Sequence, residues 1–203
     1  MTSPPSRAAH GQRRGDLLDA ARHCFARTGV EATTVEALLA ASGASVGSLY
    51  QHFKGKDGLA AALYMVGLDA FFAAARRRLE AARSTEDGVK ALVRAYFDCA
   101  AADPDMVAFL IEARTYLDRT DHAGEIERHA ASLMPEIGAW FASAIRTGEL
   151  RPLAPAYIMA ITEGPARHFM KRWLPRRQPA LDEAREVLAD AAWHALRAPG
   201  TGA

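Results

Sequence analysis

The sequence predicts an all-α chain, and three observations carry that prediction. Alanine is abundant and β-branched residues are sparse, a balance that favours helix. Apolar residues recur at helical spacing in segment after segment, as in Leu17, Ala21, Cys24 and Phe25. Glycine and proline fall where such segments would end, at Gly29, Gly43 and Asp103-Pro104. No stretch carries a strand signal of weight, and there is no internal repeat. The expected architecture is a three-helix headpiece joined by a long helix to a second helical domain, about nine helices in all.

The elements follow in order. Residues 1–11 are a Pro/Ser-rich tail. The first helix is expected over 12–28, with Gly29 ending it. Thr33 and Glu36 have capping-box spacing, so Thr33 is expected to cap a second, short helix carrying Val35, Leu38 and Leu39. Gly43 stops that helix, because glycine takes left-handed angles at little cost. Ser45 is expected to cap a third helix, 46–52, which offers Leu49 and Phe53 to a core. A long helix over 56–83 would be roughly 40 Å at 1.5 Å per residue. Its first turn belongs to the headpiece and its remainder to the second domain. Further helices are expected over 85–102, 104–117, 125–147 (kinked near Pro135), 155–174 and 180–197. Pro165 bends the helix that contains it, or is tolerated beside Gly164. The domain division is thus a tail at 1–11, a headpiece at 12–58, a second domain at 59–198 and a tail at 199–203.

Of the 203 residues, 50% are hydrophobic, enough for a sizeable core. The formal charge of +1 is too near zero to announce nucleic-acid binding. Residues 1–60 carry seven Lys/Arg and five Asp/Glu, a small basic excess. Cys24 and Cys99 stand apart in apolar helical contexts and read as buried core thiols. The first residues lack the apolar run of a signal peptide, and no stretch is expected to reach the roughly 20 apolar residues of a membrane span. The expected location is the cytoplasm. Glu-x-x-His pairs, His-Glu-x-x-His, Cys-x-x-Cys and the phosphate loop are all missing from the sequence. Neither catalytic nor metal-ligating residues are assigned, no cofactor is expected, and the chain is read as a non-enzyme.

The stretch with chemical meaning is 33–59, TTVEALLAASGASVGSLYQHFKGKDGL. Two short helices about a Gly-containing turn form a helix-turn-helix unit. Its second helix would enter a DNA major groove, led by small N-terminal residues that let the backbone approach base edges. The stretch resembles the DNA-binding segment of the tetracycline-repressor-like (TetR) family. The matching residues are Thr33, Thr34, Val35, Leu38, Gly43, Ser45, Gly47, Leu49, Tyr50, His52, Phe53, Lys56 and Leu59, with the run LYQHFKGK. Leu39, Ser42, Ala44 and Val46 depart from the usual pattern, so sequence preference cannot be copied from a relative.

The resemblance implies a homodimeric, ligand-responsive transcriptional regulator, more often a repressor, on a near-palindromic double-stranded DNA operator. Ser45, Ser48 and Gln51 would bond to base edges or phosphates, and Val46 would touch a thymine methyl. Gly47 would let the backbone close in. Thr34, Tyr50, His52 and Lys56 would hold phosphates, and an N-terminal arm with Arg7, Arg13 and Arg14 could reach the minor groove. A small, largely apolar effector would occupy the second domain, with Met65, Phe72, Phe97, Phe109, Glu112, Arg114, Tyr116, Trp140, Phe141 and Phe169 as the candidate lining. The last two helices would dimerise through Ile158, Ile161, Phe169, Trp173, Val187, Leu188 and Ala191. Two other classes stay open at this point: an effector-less architectural DNA-binding module, and a helical-bundle enzyme with a vestigial headpiece.

Overall fold

The computed structural model describes residues 7–200, and side chains from residue 11. Among these residues there are ten helices and no strand: α1 (Arg7–Ala32), α2 (Val35–Ser42), α3 (Val46–Phe53), α4 (Lys56–Glu80), α5 (Thr85–Ala102), α6 (Pro104–Leu117), α7 (Ala123–Leu133), α8 (Pro135–Arg146), α9 (Pro155–Trp173) and α10 (Leu181–Leu196). An isolated antiparallel bridge pairs Leu150 with Arg197.

Several boundaries differ from the sequence reading, among them the end of α4, which falls at Glu80 rather than at 83. The first helix begins by Arg7, so part of the expected tail is helical, while the remainder of that tail and the side chain of Arg7 lie outside the described residues. The segment expected as one kinked helix over 125–147 is two helices broken at Pro135. Proline has no N–H to continue the ladder and sits at the first position of α8. The predicted end of α1 does fall at Gly29, whose φ of 77° leaves the helical region.

The chain forms two compact units. The first holds residues up to 67 together with 108–129, and the second holds 68–107 with 130 onward. These units fall differently from the division at residue 58. The end of α6 joins the headpiece because Phe109 is buried there, stacked on Phe25 of α1 at 5.6 Å and edge-on to Tyr64 of α4 at 6.3 Å. Leu17, Ala21, Leu38, Leu49, Leu59, Leu63, Leu117 and Ile126 complete this core, each at most 2% exposed. Each fully buried leucine contributes about 1.5–3 kcal/mol relative to exposure, which is how a headpiece of short helices gains a core of useful size.

In the second unit α5 packs on α9 and α10. Phe97 stacks on Phe169 at 5.8 Å, and Val89, Val93, Met170, Ala189 and Leu196 are buried. Charged side chains clasp the rim of the α5–α10 seam. Arg94 Nη2 lies 2.5 Å from Glu186, and Lys90 lies 2.5 Å from Asp190 while also pairing with Glu86. Helix α8 presses the Trp140 ring onto Gly88 of α5. A Cβ at Gly88 would stand 2.0 Å from that ring, so only glycine permits the approach.

By length and composition α4 corrects the expectation that no stretch reaches membrane-spanning size: an 18-residue window has mean hydropathy 1.7. Half of that window is buried inside the protein. Leu59, Leu63 and Tyr64 pack in the first unit and Phe72, Ala74 and Ala75 in the second, the pattern of a core helix. Cys24 and Cys99 are free thiols, half-buried rather than buried. Burial, then the neighbouring Asp98, pushes the Cys99 thiol up from its ordinary value, so it stays protonated at neutral pH.

Candidate nucleic-acid interface

Helix α2 starts one residue later than the capping-box spacing suggests. Thr34, not Thr33, is the cap, its Oγ1 accepting from the Ala37 N–H at 3.2 Å. Thr33 turns inward, 3% exposed, and its hydroxyl donates to the Gly29 carbonyl at 2.6 Å. The buried threonine thereby satisfies the carbonyl at the break in α1, while its neighbour opens α2. Gly43 closes α2 at φ 65°, its N–H donating to Leu39 O at 2.9 Å. Ser45 then caps α3 as expected, accepting from the Ser48 N–H at 3.2 Å.

One side of α3 is buried through Leu49 and Phe53, and the opposite side is open. Ser45, Val46, Gly47, Tyr50, Gln51 and Lys54 are exposed, Val46 at 54% and Tyr50 at 55%. Their spacing puts them on one face of a helix. Exposed Val46 and Tyr50 are apolar surface that the chain itself leaves uncovered.

Ser48 does not belong to that face, which corrects its expected base contact. It is 8% exposed, and its Oγ is buried without a hydrogen-bond partner. It lies one position past Gly47, rotated toward the core side. His52 is half-buried, its ring 6.0 Å from that of Phe53. Thr34 is exposed beside the start of α2. On α1, Arg13 and Arg14 are exposed, and the Arg14 guanidinium stands 5.4 Å over the Phe53 ring.

Lys56 opens α4 and already has protein partners. Its Nζ donates to Thr33 O at 2.9 Å and Glu31 O at 3.2 Å, tying the end of α1 to the start of α4. An ammonium has three donors, so one remains for a further acceptor. Two residues nearby escaped sequence reasoning. Gly58 lets α4 pass against α3, since a Cβ there would fall 1.8 Å from Phe53 O. Lys54 takes the left-handed φ of 60° that ends α3, its N–H closing on Tyr50 O at 3.0 Å. The only sequence signal for Gly58 was a glycine within the first turn of a predicted helix.

The candidate effector lining is divided between the two units. Met65, Phe109, Glu112, Arg114 and Tyr116 lie in the first unit, and Phe72, Phe97, Trp140, Phe141 and Phe169 in the second. Phe109 is core, Arg114 pairs with Asp118 at 2.8 Å, and Glu112 is exposed. The Tyr116 hydroxyl donates to Asp57 at 2.6 Å. Burial, then that bond, pushes the phenol up to about 12. Trp140 lines an open cleft in the second unit with Arg83, Thr85, Ser143, Thr147 and Glu149, a largely polar set rather than an apolar one.

Of the candidate dimer residues, Ile158 and Trp173 face inward, at 5% and 8% exposed, which removes them from an outer face. Trp173 Nε1 donates to Pro179 O at 2.7 Å and Arg177 covers its ring, so the indole serves this chain's own fold. Phe169 is half-buried against Phe97. Ile161 and Leu188 are half-buried, and Ala191 and Val187 are exposed, Val187 at 59%. Tyr157, 63% exposed, is a further large apolar residue at the surface of α9.

Comparison with known proteins agrees with this geometry. Residues 17–63 match the family model of bacterial regulatory proteins of the tetR family. The HTH-type transcriptional repressor KstR2 of Rhodococcus jostii is 32% identical over 130 residues, covering 63% of this chain and 61% of that repressor. The match therefore spans about three fifths of that relative's length. A TetR family transcription regulator from Marinobacter aquaeolei VT8 has the same fold, with a TM-score of 0.78 at 21% identity over 95% of this chain and 100% of the other. The regulator FadR from Bacillus subtilis, solved in complex with stearoyl-CoA, superposes with a TM-score of 0.72 at 15% identity over 88% of this chain and 96% of its own. Residues 17–63 thus match the headpiece of the bacterial tetR family, and the all-helical fold is the one found in solved TetR family regulators.

Proposed function

We propose that the chain is a DNA-binding transcriptional repressor that acts as a homodimer on a near-palindromic operator and is released by a small, largely apolar effector. The observation that carries this reading is the outer face of α3. It presents Ser45, Val46, Gly47, Tyr50 and Gln51 to solvent on a short helix whose other side is locked into the core. A helix presented in this way fits a major groove, and its N-terminal half carries small residues. Gln51 offers both a donor and an acceptor to a base edge, and Val46 an apolar contact for a thymine methyl. Thr34, Tyr50, His52 and Lys56 are assigned to phosphates. One such helix reads few base pairs, so two copies about one helical turn of DNA apart are required for a specific site. The exposed apolar residues of α9 and α10, Tyr157, Val187 and Ala191, are the proposed contact between copies.

The effector would bind the helices beyond the headpiece. The likeness to a FadR solved with stearoyl-CoA supports a ligand with a long apolar part. The test is selection of bound duplexes from random-sequence DNA, followed by a screen of acyl-CoA thioesters and other compounds with a long apolar part for release of the selected duplex. Recovery of a two-fold symmetric sequence is expected. Failure to enrich any sequence would remove the regulator reading.

A further inference from the structure

We propose that Arg119, in the α6–α7 loop, and Lys54, in the α3–α4 turn, form a second grip on the DNA backbone at the edge of the face of α3 that reads the groove. This inference rests on the DNA-binding reading above. The two residues line one cleft of about 570 Å³ in the first unit, together with Tyr50, Lys56, Asp57 and His122. Lys54 follows Val46 and Tyr50 around the exposed side of α3, so its side chain stands where that face gives way to the turn. Its backbone is fixed by the left-handed cap and by Gly55, whose φ is 128°. A Cβ at Gly55 would lie 3.8 Å from the Tyr50 ring, which packs along the turn.

The opposite wall is held as firmly. The Arg119 N–H donates to Tyr116 O at 3.1 Å, and the Thr120 N–H and hydroxyl both reach Leu117 O, at 3.0 and 2.8 Å. Tyr116 in turn fastens this loop to the start of α4 through Asp57. The loop therefore offers Arg119 at a set place and not on a wandering segment.

Charge supplies the second argument. Two basic side chains nearby are already used. Arg114 is paired with Asp118 and Glu127, and Lys56 has its two carbonyls. Arg119 and Lys54 are exposed and have no carboxylate partner among the described residues. Of the acids in the cleft, Asp57 accepts the Tyr116 hydroxyl, and Asp121 is exposed. His122 shares a hydrogen bond with Glu125 at 3.3 Å. A guanidinium forks onto phosphate oxygens, and an ammonium binds them as a point charge. A duplex docked on α3 would bring its backbone to the Tyr50–Lys54 edge, within the same cleft as Arg119. The end of α6 would then touch DNA directly, so any effector-driven shift of α6 would change DNA affinity without passing through α4.

The experiment uses the full chain and a duplex recovered by selection with it, with a random duplex beside it. Affinity is measured over a salt series for the wild type, Arg119→Gln, Lys54→Asn (asparagine tolerates left-handed angles) and the double variant. Arg119→Lys tests rescue by charge, and Arg77→Gln, far along α4, controls for net charge. Each of Arg119→Gln and Lys54→Asn is expected to weaken both duplexes by the same factor. Each should flatten the log–log salt slope by about 0.9, with the double variant showing the sum. Arg119→Lys should restore the slope. An unchanged slope for Arg119→Gln, a loss equalled by Arg77→Gln, or an altered preferred sequence would each overturn the grip while leaving the DNA reading intact. A wild type that selects no duplex would instead overturn the DNA reading, and the grip with it.

Discussion

Thr33 and Thr34 show how a single residue decides what an interface can do. Two adjacent threonines suit a cap by type, and spacing to Glu36 favours the first. The structure uses the second, because the hydroxyl of the first is turned inward onto the Gly29 carbonyl where α1 breaks. Sequence spacing cannot see that competing acceptor. Ser48 misled for a related reason. A small polar residue in a recognition helix suggests base contact, yet its angular position next to Leu49 buries it. Under the proposed function, Gln51 and Lys56 would separate the two jobs of the interface. Gln51→Ala should lower affinity by about 1–3 kcal/mol for the selected duplex and relax preference at one base pair, because a base-edge bond is lost. Lys56→Ala should weaken all duplexes alike and flatten the salt slope by about one unit. It should also destabilise the fold by about 1 kcal/mol, since two carbonyls lose a charged donor. Salt-series binding together with urea unfolding reads both effects. A Lys56→Ala variant with unchanged stability would deny its tie between α1 and α4.

At the scale of elements, the helices were legible because their punctuation is local. Ser45, Gly43 and Asp103-Pro104 mark boundaries that the structure reproduces. The grouping of helices was not legible. That 108–129 join the headpiece depends on Phe109 meeting Phe25, a contact between residues far apart in sequence with no periodic signature. The α5 seams are equally non-local and yield two predictions. Gly88→Ala forces the Trp140 ring away from α5 and should cost about 1–3 kcal/mol, as overpacking does. Thermal unfolding with Trp140 fluorescence would register both the loss and the moved ring, and an unchanged melt would mean that α8 yields freely. The Arg94–Glu186 clasp is partly solvated, so Glu186→Gln should cost only about 0.5–1 kcal/mol at neutral pH. The hydrogen bond from Arg94, despite some burial and with help from Arg185, holds the Glu186 carboxyl below its ordinary value of 4.5. Its contribution is therefore complete above that value and is lost as pH falls through the depressed one. The gap between wild type and Glu186→Gln should close in acid. Lys90 behaves oppositely: burial lowers it, but Asp190 and Glu86 outweigh burial and raise it. Its contribution persists below 10.5 and fades only above. A stability difference between wild type and Glu186→Gln that stayed constant on acidification would show that the clasp acts through packing alone.

For the whole molecule, the proposed function raises the question of how one chain would come to read two half-sites. The sequence offered a broad apolar set on the last two helices, and the structure sorts it. Ile158 and Trp173 are spent inside the chain, whereas Tyr157 and Val187 remain among the exposed large hydrophobics. A soluble surface tolerates scattered apolar residues, but these two occur on neighbouring helices, with half-buried Ile161 and Leu188 and exposed Ala191 beside them. Two helices from each copy, meeting across a two-fold axis, would cover that set. Val187→Glu tests this without disturbing the monomer, because the residue is 59% exposed and its replacement meets water in the single chain. In a dimer the same glutamate would be buried near its symmetry mate, a cost of several kcal/mol for an unpaired buried charge. Sedimentation should therefore show folded monomers with an unchanged helical spectrum. Operator affinity should collapse toward that of a single half-site, while binding to random duplex falls far less. Ile158→Glu gives the contrasting outcome, since Ile158 is core: that variant should misfold rather than dissociate. If Val187→Glu sediments as a stable dimer that still binds the operator, the two-fold contact lies on other helices, and the spacing of the two α3 faces is set by a surface other than α9 and α10.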